Sequence, residues 1–469
     1  MSKTEIMNME YSDIINKINN VKINTKKKED FGEVPTPIQL IEEMLNRLPA
    51  SVWKDPHKRW LDPATGIGSF QMIVYERLMK GLSTWESSVI KRHHHIIKNM
   101  LFMCEINSSS VSQVKKVFGS DVNISGDFLK HDFKDPFDII LGNPPFNEEQ
   151  TSKTDGGKRS TGNTIWIDFV ETSLDLLSKN GYLLFVHPPG WRKPTTESSK
   201  TDGLFKKMAV DNQMIYLEIH DKSDGVNTFG VQTRYDWYLL CNRPCYTKTV
   251  VKDEFSKIQS IDLREWQFLP NSEYSLIKRI LCSKNESPVD IIYSRTQYAT
   301  DMEWVNNTKT ATYKYPLIHS TPKKSEIRMF WTSKKEPPIR GDLIPMFNIP
   351  KVIFGEAGIN TAVLDNSGKY GLTQGAMAIP ITSKKEGITI KAALESSIFE
   401  RIINAMCFGN FRIDWRIFLF FKRDFYKYFG KSKNVKNEKT QKTEKRKTQK
   451  LIKKKKRSVS RKIRKQSLE

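Results

Sequence analysis

The sequence predicts an α/β protein: one doubly wound domain with a mixed, mostly parallel sheet, then a second domain of mixed α+β character, then a basic tail. Three observations carry this. Short apolar runs alternate with amphipathic helical stretches from residue 36 to about 242, the rhythm of strands joined by crossover helices. One run passes into Asp62-Pro63-Ala64-Thr65-Gly66-Ile67-Gly68-Ser69-Phe70 and then a helix, a turn that lets a ligand approach the backbone at a helix N-terminus. Another, Phe137-Asp138-Ile139-Ile140-Leu141-Gly142, ends in Asn143-Pro144-Pro145-Phe146, which places that loop at the carboxyl end of a buried strand, where open α/β sheets hold their ligands.

Residues 1–30 are polar and Lys-rich, with one amphipathic helix expected around Ile6, Tyr11, Ile14, Ile15 and Ile18. After the turn-rich entry Phe31-Gly32-Glu33-Val34-Pro35-Thr36-Pro37, apolar residues at helical spacing predict a helix over 38–48, with Thr36 as its N-cap. Trp60-Leu61 is a strand and 71–80 a helix. Strands then end at Cys104 and Ile124, each followed by an acid, Glu105 and Asp127. An amphipathic helix over 165–177 is expected to stop at Lys179-Asn180-Gly181, before a buried strand over 182–186 that breaks at Pro188-Pro189. Strands over 214–219 and 235–241 close the first sheet, giving a domain over 31–245. From 250 to 428 the pattern turns to short strands, turns and aromatics, with one long helix over 390–406.

Composition narrows the class. Lys and Arg number 76 against 53 Asp and Glu, a net charge of +23, and residues 431–469 alone hold 18 basic against 3 acidic residues, or +15. The excess is therefore mostly a property of the tail, over 429–469, where Lys453-Lys454-Lys455-Lys456-Arg457 repels itself and is expected to be disordered. Such a tail grips phosphates without reading sequence, serves as a nuclear-import signal, or only adds solubility. No run approaches the about 20 apolar residues of a membrane span, and no secretory signal is expected at Met1. The five scattered cysteines form no disulfide framework, which points inside the cell, to the cytoplasm or to a nucleus. His93-His94-His95 in a polar helical stretch is expected to be a solvated face, and no metal site is predicted.

The chemistry rests on a few positions. Two prolines stiffen the loop after Gly142 and remove two N–H donors, so it offers carbonyls, the Asn143 side chain and the Phe146 ring. That set fits a planar base with an exocyclic amine; by itself it is equally a proline-rich turn after a strand. Glu105 is placed to accept from ribose hydroxyls. Asp127 is placed to accept from an adenine amine, with Phe128 beside the ring. The third glycine of a pyrophosphate-binding turn is replaced by Gln71, which favours a nucleoside ligand without phosphates. Lys153, Lys158 and Arg159 in the stretch after the loop, and Trp191 and Arg192 after Pro188-Pro189-Gly190, are candidates for touching nucleic acid.

Taken in order, Thr36-Pro37, Asp62 to Gly68, Glu105, Gly126-Asp127-Phe128 and Asn143-Pro144-Pro145-Phe146 resemble the γ-class DNA adenine-N6 methyltransferases, the TaqI-like enzymes related to the modification halves of Type I and Type IIG systems. The resemblance implies a Rossmann-like, S-adenosyl-L-methionine-dependent domain and a target-recognition-like domain over 250–428. It implies that Thr36, Asp62, Ala64, Gly66 and Gly68 line the cofactor, that Glu105 holds its ribose, and that Asp127 and Phe128 hold its adenine. Asn143 and the Pro144 carbonyl would accept the two N6–H bonds of a flipped base, with Pro145 stiffening the loop and Phe146 stacking on the base. The 43 residues from Asp62 to Glu105 exceed the about 20 usual in such units and imply an insertion near 81–98. DNA is the implied partner, a separate restriction endonuclease a further one, and the chain is expected to act as a monomer without a fused nuclease. Rivals stay open: an RNA adenine or a protein glutamine, whose methyltransferases use the same loop, or an inactive nucleic-acid-binding protein.

Overall fold

The computed structural model describes residues 4–19, 35–147, 164–195, 199–283, 285–322, 326–339, 341–409 and 413–429. The chain divides into two units, Met1–Tyr274 with Ala405–Arg412, and Ser275–Asn404 with Ile413–Glu469. The predicted tail and Lys153, Lys158 and Arg159 lie outside the described residues.

The first unit is built on nine strands: β1 (Trp60–Asp62), β2 (Leu101–Cys104), β3 (Asn123–Ser125), β4 (Phe137–Gly142), β5 (Leu177–His187), β6 (Gln213–His220), β7 (Tyr235–Cys241), β8 (Thr249–Lys252) and β9 (Ile258–Ile261), in the order β3-β2-β1-β4-β5-β7-β6-β8-β9. β1 to β5 run parallel, β7 is antiparallel to β5 and β6, and β8 is parallel to β6. The sheet is therefore mixed and mostly parallel, as the alternating pattern predicted. Every residue of β1 and β7 is buried, the reason these strands read as unbroken apolar runs. β8 and β9 carry the sheet past residue 245, where the sequence pattern predicts its end. Their outer positions, Val250 and Ile258, are exposed, so neither strand shows the apolar run of a central one.

The chain lays down β1, β2 and β3 toward one edge and then returns to place β4 on the other side of β1. That reversal opens a crevice between the carboxyl ends of β1 and β4. Helix Ser69–Gly81 follows β1, and its first turn is almost wholly buried.

Three local expectations need correction. The helix before β5 spans Trp166–Leu176, and Lys179-Asn180-Gly181 does not cap it. Those residues form an outward fold within β5: Asn180 takes φ 64°, and its N–H bonds the Asn242 carbonyl at 2.9 Å. The long helix over 390–406 is two helices, Lys384–Leu394 and Ser397–Ala405. They break where the Glu395 carboxylate accepts the Ala362 N–H and the Ser396 hydroxyl caps the second helix at Phe399 N–H. The histidine triad is not a solvated face. His93 is buried, its ring nitrogens 2.8 Å from the Tyr75 hydroxyl and 3.3 Å from the Thr4 hydroxyl. Burial, with His94 beside it, pushes its pKa down to about 4. Among the described residues no group of three side chains is arranged to hold a metal. The N-terminal helix Tyr11–Asn19 buries Ile14 and Ile18 in the same core, as its amphipathic spacing predicted.

The second unit holds a four-stranded sheet, a three-stranded sheet and helix Lys384–Leu394. Its three-stranded sheet contains a wholly buried ion pair, Lys351 to Asp365 at 3.0 Å.

Candidate active site

The crevice at the ends of β1 and β4 collects the motif residues. Asn143 leaves β4 directly, and its amide Nδ2 donates to the Thr36 hydroxyl at 3.2 Å. Thr36 is itself buried, and it does not cap the helix Ile38–Leu45, whose N-cap position is Pro37. The hydroxyl instead accepts from the nitrogen end of the Asn143 amide, with the oxygen end turned away from it. Asn143 Oδ1 is buried and has no hydrogen-bond partner among the described residues. A buried acceptor without a donor costs about 1–3 kcal/mol, and natural proteins keep few of them. Pro144 is buried; Pro145 and Phe146 are half-buried.

Asp62 ends β1, fully buried, and accepts the Ala64 N–H at 3.2 Å. Burial pushes its pKa up to about 7; the Ala64 bond opposes the shift and the charge of Glu105 adds to it. Gly142, at φ 150°, lies against it: a Cβ at this position would be 2.8 Å from Asp62 Oδ1. Gly66 and Gly68 both take left-handed backbone, at φ 53° and 88°, and the turn is tied to the end of β2 by the Thr65 N–H on the Cys104 carbonyl at 3.0 Å. Gln71, in the place of a third glycine, is fully buried. Glu105 follows β2 and accepts the Asn107 N–H at 2.7 Å. Asp127 caps a short turn through the Leu129 N–H at 3.1 Å and pairs with Lys130 at 2.8 Å. The Phe128 ring is buried and stacked on Phe169 at 5.2 Å, so its face is already covered rather than free to lie beside a ligand's ring. The structure thus brings Thr36, Asp62, Ala64, Gly66, Gly68 and Asn143 to one crevice, with Glu105 and Asp127 at the ends of the next two strands.

Trp191 and Arg192 are corrected. Both are fully buried, in the short turn Pro189–Arg192 after β5. The Arg192 guanidinium meets the Asp236 carboxylate on two sides, at 2.6 and 2.8 Å, and the Trp191 Nε1 donates to the same carboxylate at 2.9 Å. Neither side chain is placed to touch a phosphate. The sequence did carry the signal: Asp236 is the one charged residue in the apolar run Tyr235–Cys241, and a buried carboxylate needs a cation. The loop's far end is also defined. Phe146 O accepts the Ile165 N–H at 3.3 Å, and Asn147 and Thr164 form an isolated antiparallel bridge. Trp166 then stacks on His187 at 4.4 Å, and burial pushes the His187 pKa down to about 4.

A cavity of about 290 Å³ lies further along the same sheet edge, at the ends of β6 and β8, lined by Glu218, His220, Asp224, Lys252 and Glu254 among others. Its groups are paired with one another, Lys252 to Glu218 at 2.6 Å and His220 to Asp224 at 3.2 Å, and it holds none of the motif residues.

Residues 64–225 match the model of the Eco57I restriction-modification methylase family. No curated protein matches the chain. Among solved structures, the Type IIL restriction-modification enzyme MmeI, solved in complex with DNA, is 11% identical with a TM-score of 0.51, covering 82% of this chain and 67% of its own. A modification subunit of a putative type I restriction enzyme from Vibrio vulnificus YJ016 is 16% identical with a TM-score of 0.36, covering 51% of this chain and 55% of its own. The chain spans about half the length of the type I modification proteins it matches. Over the segment that carries Gly66, Gly68, Glu105, Asp127 and the Asn143 to Phe146 loop, this chain is similar to the Eco57I restriction-modification methylases.

Proposed function

We propose that this protein transfers a methyl group from S-adenosyl-L-methionine to the N6 amine of a flipped adenine in a specific DNA sequence, as the modification enzyme of a restriction-modification system. The observation that carries the reading is Asn143 Oδ1, a buried acceptor without a donor at the mouth of β4. An exocyclic amine supplies the missing N–H.

The residues fit the cofactor. A Cβ at Gly142 would crowd Asp62 Oδ1, so a glycine leaves that buried oxygen with room to meet a cationic amino-acid end. The left-handed turn at Gly66 and Gly68 admits a ligand close to the backbone, and Glu105 and Asp127 are acceptors suited to a ribose and an adenine amine. Thr36 holds the Asn143 amide in place. When bound, S-adenosylmethionine supplies an electrophilic methyl group.

The loop does the rest. The N6 lone pair of adenine is delocalised into the ring. Asn143 Oδ1 and the Pro144 carbonyl, accepting its two N–H bonds, draw those hydrogens toward a tetrahedral arrangement and localise the lone pair. Both acceptors also stabilise the positive charge that develops on nitrogen, without a covalent intermediate; as the carbon–sulfur bond breaks to a neutral thioether, one of the two hydrogens leaves the nitrogen as a proton to water. Phe146 stacks on the extruded base and offsets part of the few kcal/mol of unstacking. Target recognition falls to the region expected over 250–428, most of which lies in the second unit, and a separate endonuclease is the partner this role calls for. The chain itself acts as a monomer.

Purified protein, labelled S-adenosylmethionine and unmethylated duplex should yield N6-methyladenine by nucleoside mass spectrometry. Label appearing in RNA or in a glutamine peptide, with none in DNA, contradicts the reading.

Two further outcomes follow from the same assignment. In the free protein Asp62 holds its proton up to about pH 7, far above its ordinary value of 3.8. The raised value means Asp62 contributes stability that is full below about pH 4 and is lost as pH rises through 7. An ammonium group beside it needs the carboxylate, so binding expels the proton. Cofactor affinity is therefore expected to weaken about tenfold per unit as pH falls below 7, with proton release measurable by calorimetry in buffers of different ionisation enthalpy. An Asp62→Asn variant should lose that pH dependence. Deleting 431–469 should weaken DNA binding and flatten its dependence on salt while leaving the preferred sequence unchanged, as titrations at several salt concentrations would reveal.

A further inference from the structure

The bonds of Arg192 go beyond its ion pair. A carboxylate opposite a guanidinium would satisfy the charge, yet Nη1 also donates to the Leu269 carbonyl at 2.7 Å and Nη2 to Asn271 Oδ1 at 3.0 Å. The Arg192 carbonyl accepts the Leu269 N–H at 2.9 Å in return. Asn271 is fully buried as well, and its other groups reach a different stretch of chain: Nδ2 donates to the Cys407 carbonyl at 3.0 Å and its N–H to the Ala405 carbonyl at 2.7 Å. Phe408 completes the set, its ring centroid 5.5 Å from the guanidinium carbon.

The positions of these partners in the chain give them meaning. Residues 269–271 are the last part of the first unit before the chain leaves it after Tyr274, and 405–407 are the first part after the chain returns at Ala405. Arg192 and Asn271 thus bond the outgoing and returning strands to each other, and both to the ends of β5 and β7. Tying both crossings together at one buried point orders the segments through which the chain leaves and re-enters the first unit, and ordering a segment before a ligand arrives is how preorganisation raises affinity.

We propose that Arg192 and Asn271 form a clasp at the root of residues 275–404, and that they are positioning residues for recognition of the target DNA. This rests on the reading of the protein as a DNA methyltransferase, and goes beyond it by naming the device that couples the recognition segment to the catalytic unit. Both side chains are fully buried, and their bonds go to Asp236, Leu269, Cys407 and each other, with none to a motif residue. Their loss should leave cofactor binding alone and act on the duplex.

The test uses Asn271→Ala and Arg192→Lys in the full chain. Asn271→Ala keeps the Arg192–Asp236 pair and removes the link to Cys407. Arg192→Lys keeps a cation for Asp236 and removes the fork. In both, cofactor Kd should stay within about twofold of the parent, while KM for a cognate duplex rises about tenfold and discrimination against a one-mismatch duplex falls by a similar factor. The double variant should lose no more than the worse single one, because the two residues act as a unit. Amide hydrogen exchange should quicken at 269–271 and 405–409 and stay unchanged in β6. Faster exchange with unchanged KM and discrimination makes the contacts structural only and overturns the positioning role. Unchanged exchange overturns the clasp itself. If Arg192→Lys fails to fold, Asn271→Ala decides alone. A parent protein that methylates no DNA refutes the assigned function and with it the positioning role, while exchange still decides whether the clasp exists.

Discussion

Asn143→Ala is expected to lower kcat by about 10²–10³ while cofactor affinity changes less than about threefold. The size follows from what the side chain does. Its oxygen is buried and without a donor, and under the proposed function it accepts from the substrate amine once that is in place. The bond strengthens as charge develops on that nitrogen, so its loss falls on turnover rather than on ground-state binding. Single-turnover kinetics with pre-bound cofactor, set beside calorimetric cofactor titration, separate the two. An equal loss in both would mean that the loop holds the cofactor instead of the amine. Thr36→Val, which removes the hydroxyl that the Nδ2 donates to, should act in the same direction but less strongly, because the amide is then free to rotate rather than absent.

Asp236→Ala is expected to destabilise the first unit by about 3–5 kcal/mol. The carboxylate is fully buried and answers two groups at once, the Arg192 guanidinium and the Trp191 indole N–H. Removing it strands a buried cation, which costs far more than the pair contributes when whole. Chemical denaturation followed by tryptophan fluorescence measures this directly. A loss below about 1 kcal/mol would mean that water reaches Arg192 once the carboxylate is gone.

What the sequence made legible divides along physical lines. The crevice was readable because parallel strands buried on both faces appear as apolar runs, and because acids and glycines at their carboxyl ends have no packing reason to be there. Asp62, Glu105, Asp127 and Asn143 were all placed at strand ends in this way, and the strands end within two residues of those positions. Arg192 was misplaced because a basic residue beside a proline-glycine turn looks exposed; only its partner Asp236, 44 positions away, reveals the burial. His93 was missed for a similar reason, since its partners Tyr75 and Thr4 come from separate elements. The unpartnered state of Asn143 Oδ1 has no sequence signature at all. It depends on Thr36 occupying the other end of the amide, a contact across 107 positions. The joint between Asn271 and Cys407 was equally invisible, because one of its partners is a backbone carbonyl.

The bridge between Asn147 and Thr164 pins both ends of the intervening stretch within a few residues of the reacting loop. With the Ile165 N–H on the Phe146 carbonyl beside it, the bridge anchors the end of the Asn143 to Phe146 loop through main-chain bonds alone. Side-chain substitutions elsewhere in the sequence therefore do not remove that anchor directly, whereas a proline at Ile165 takes away its donor.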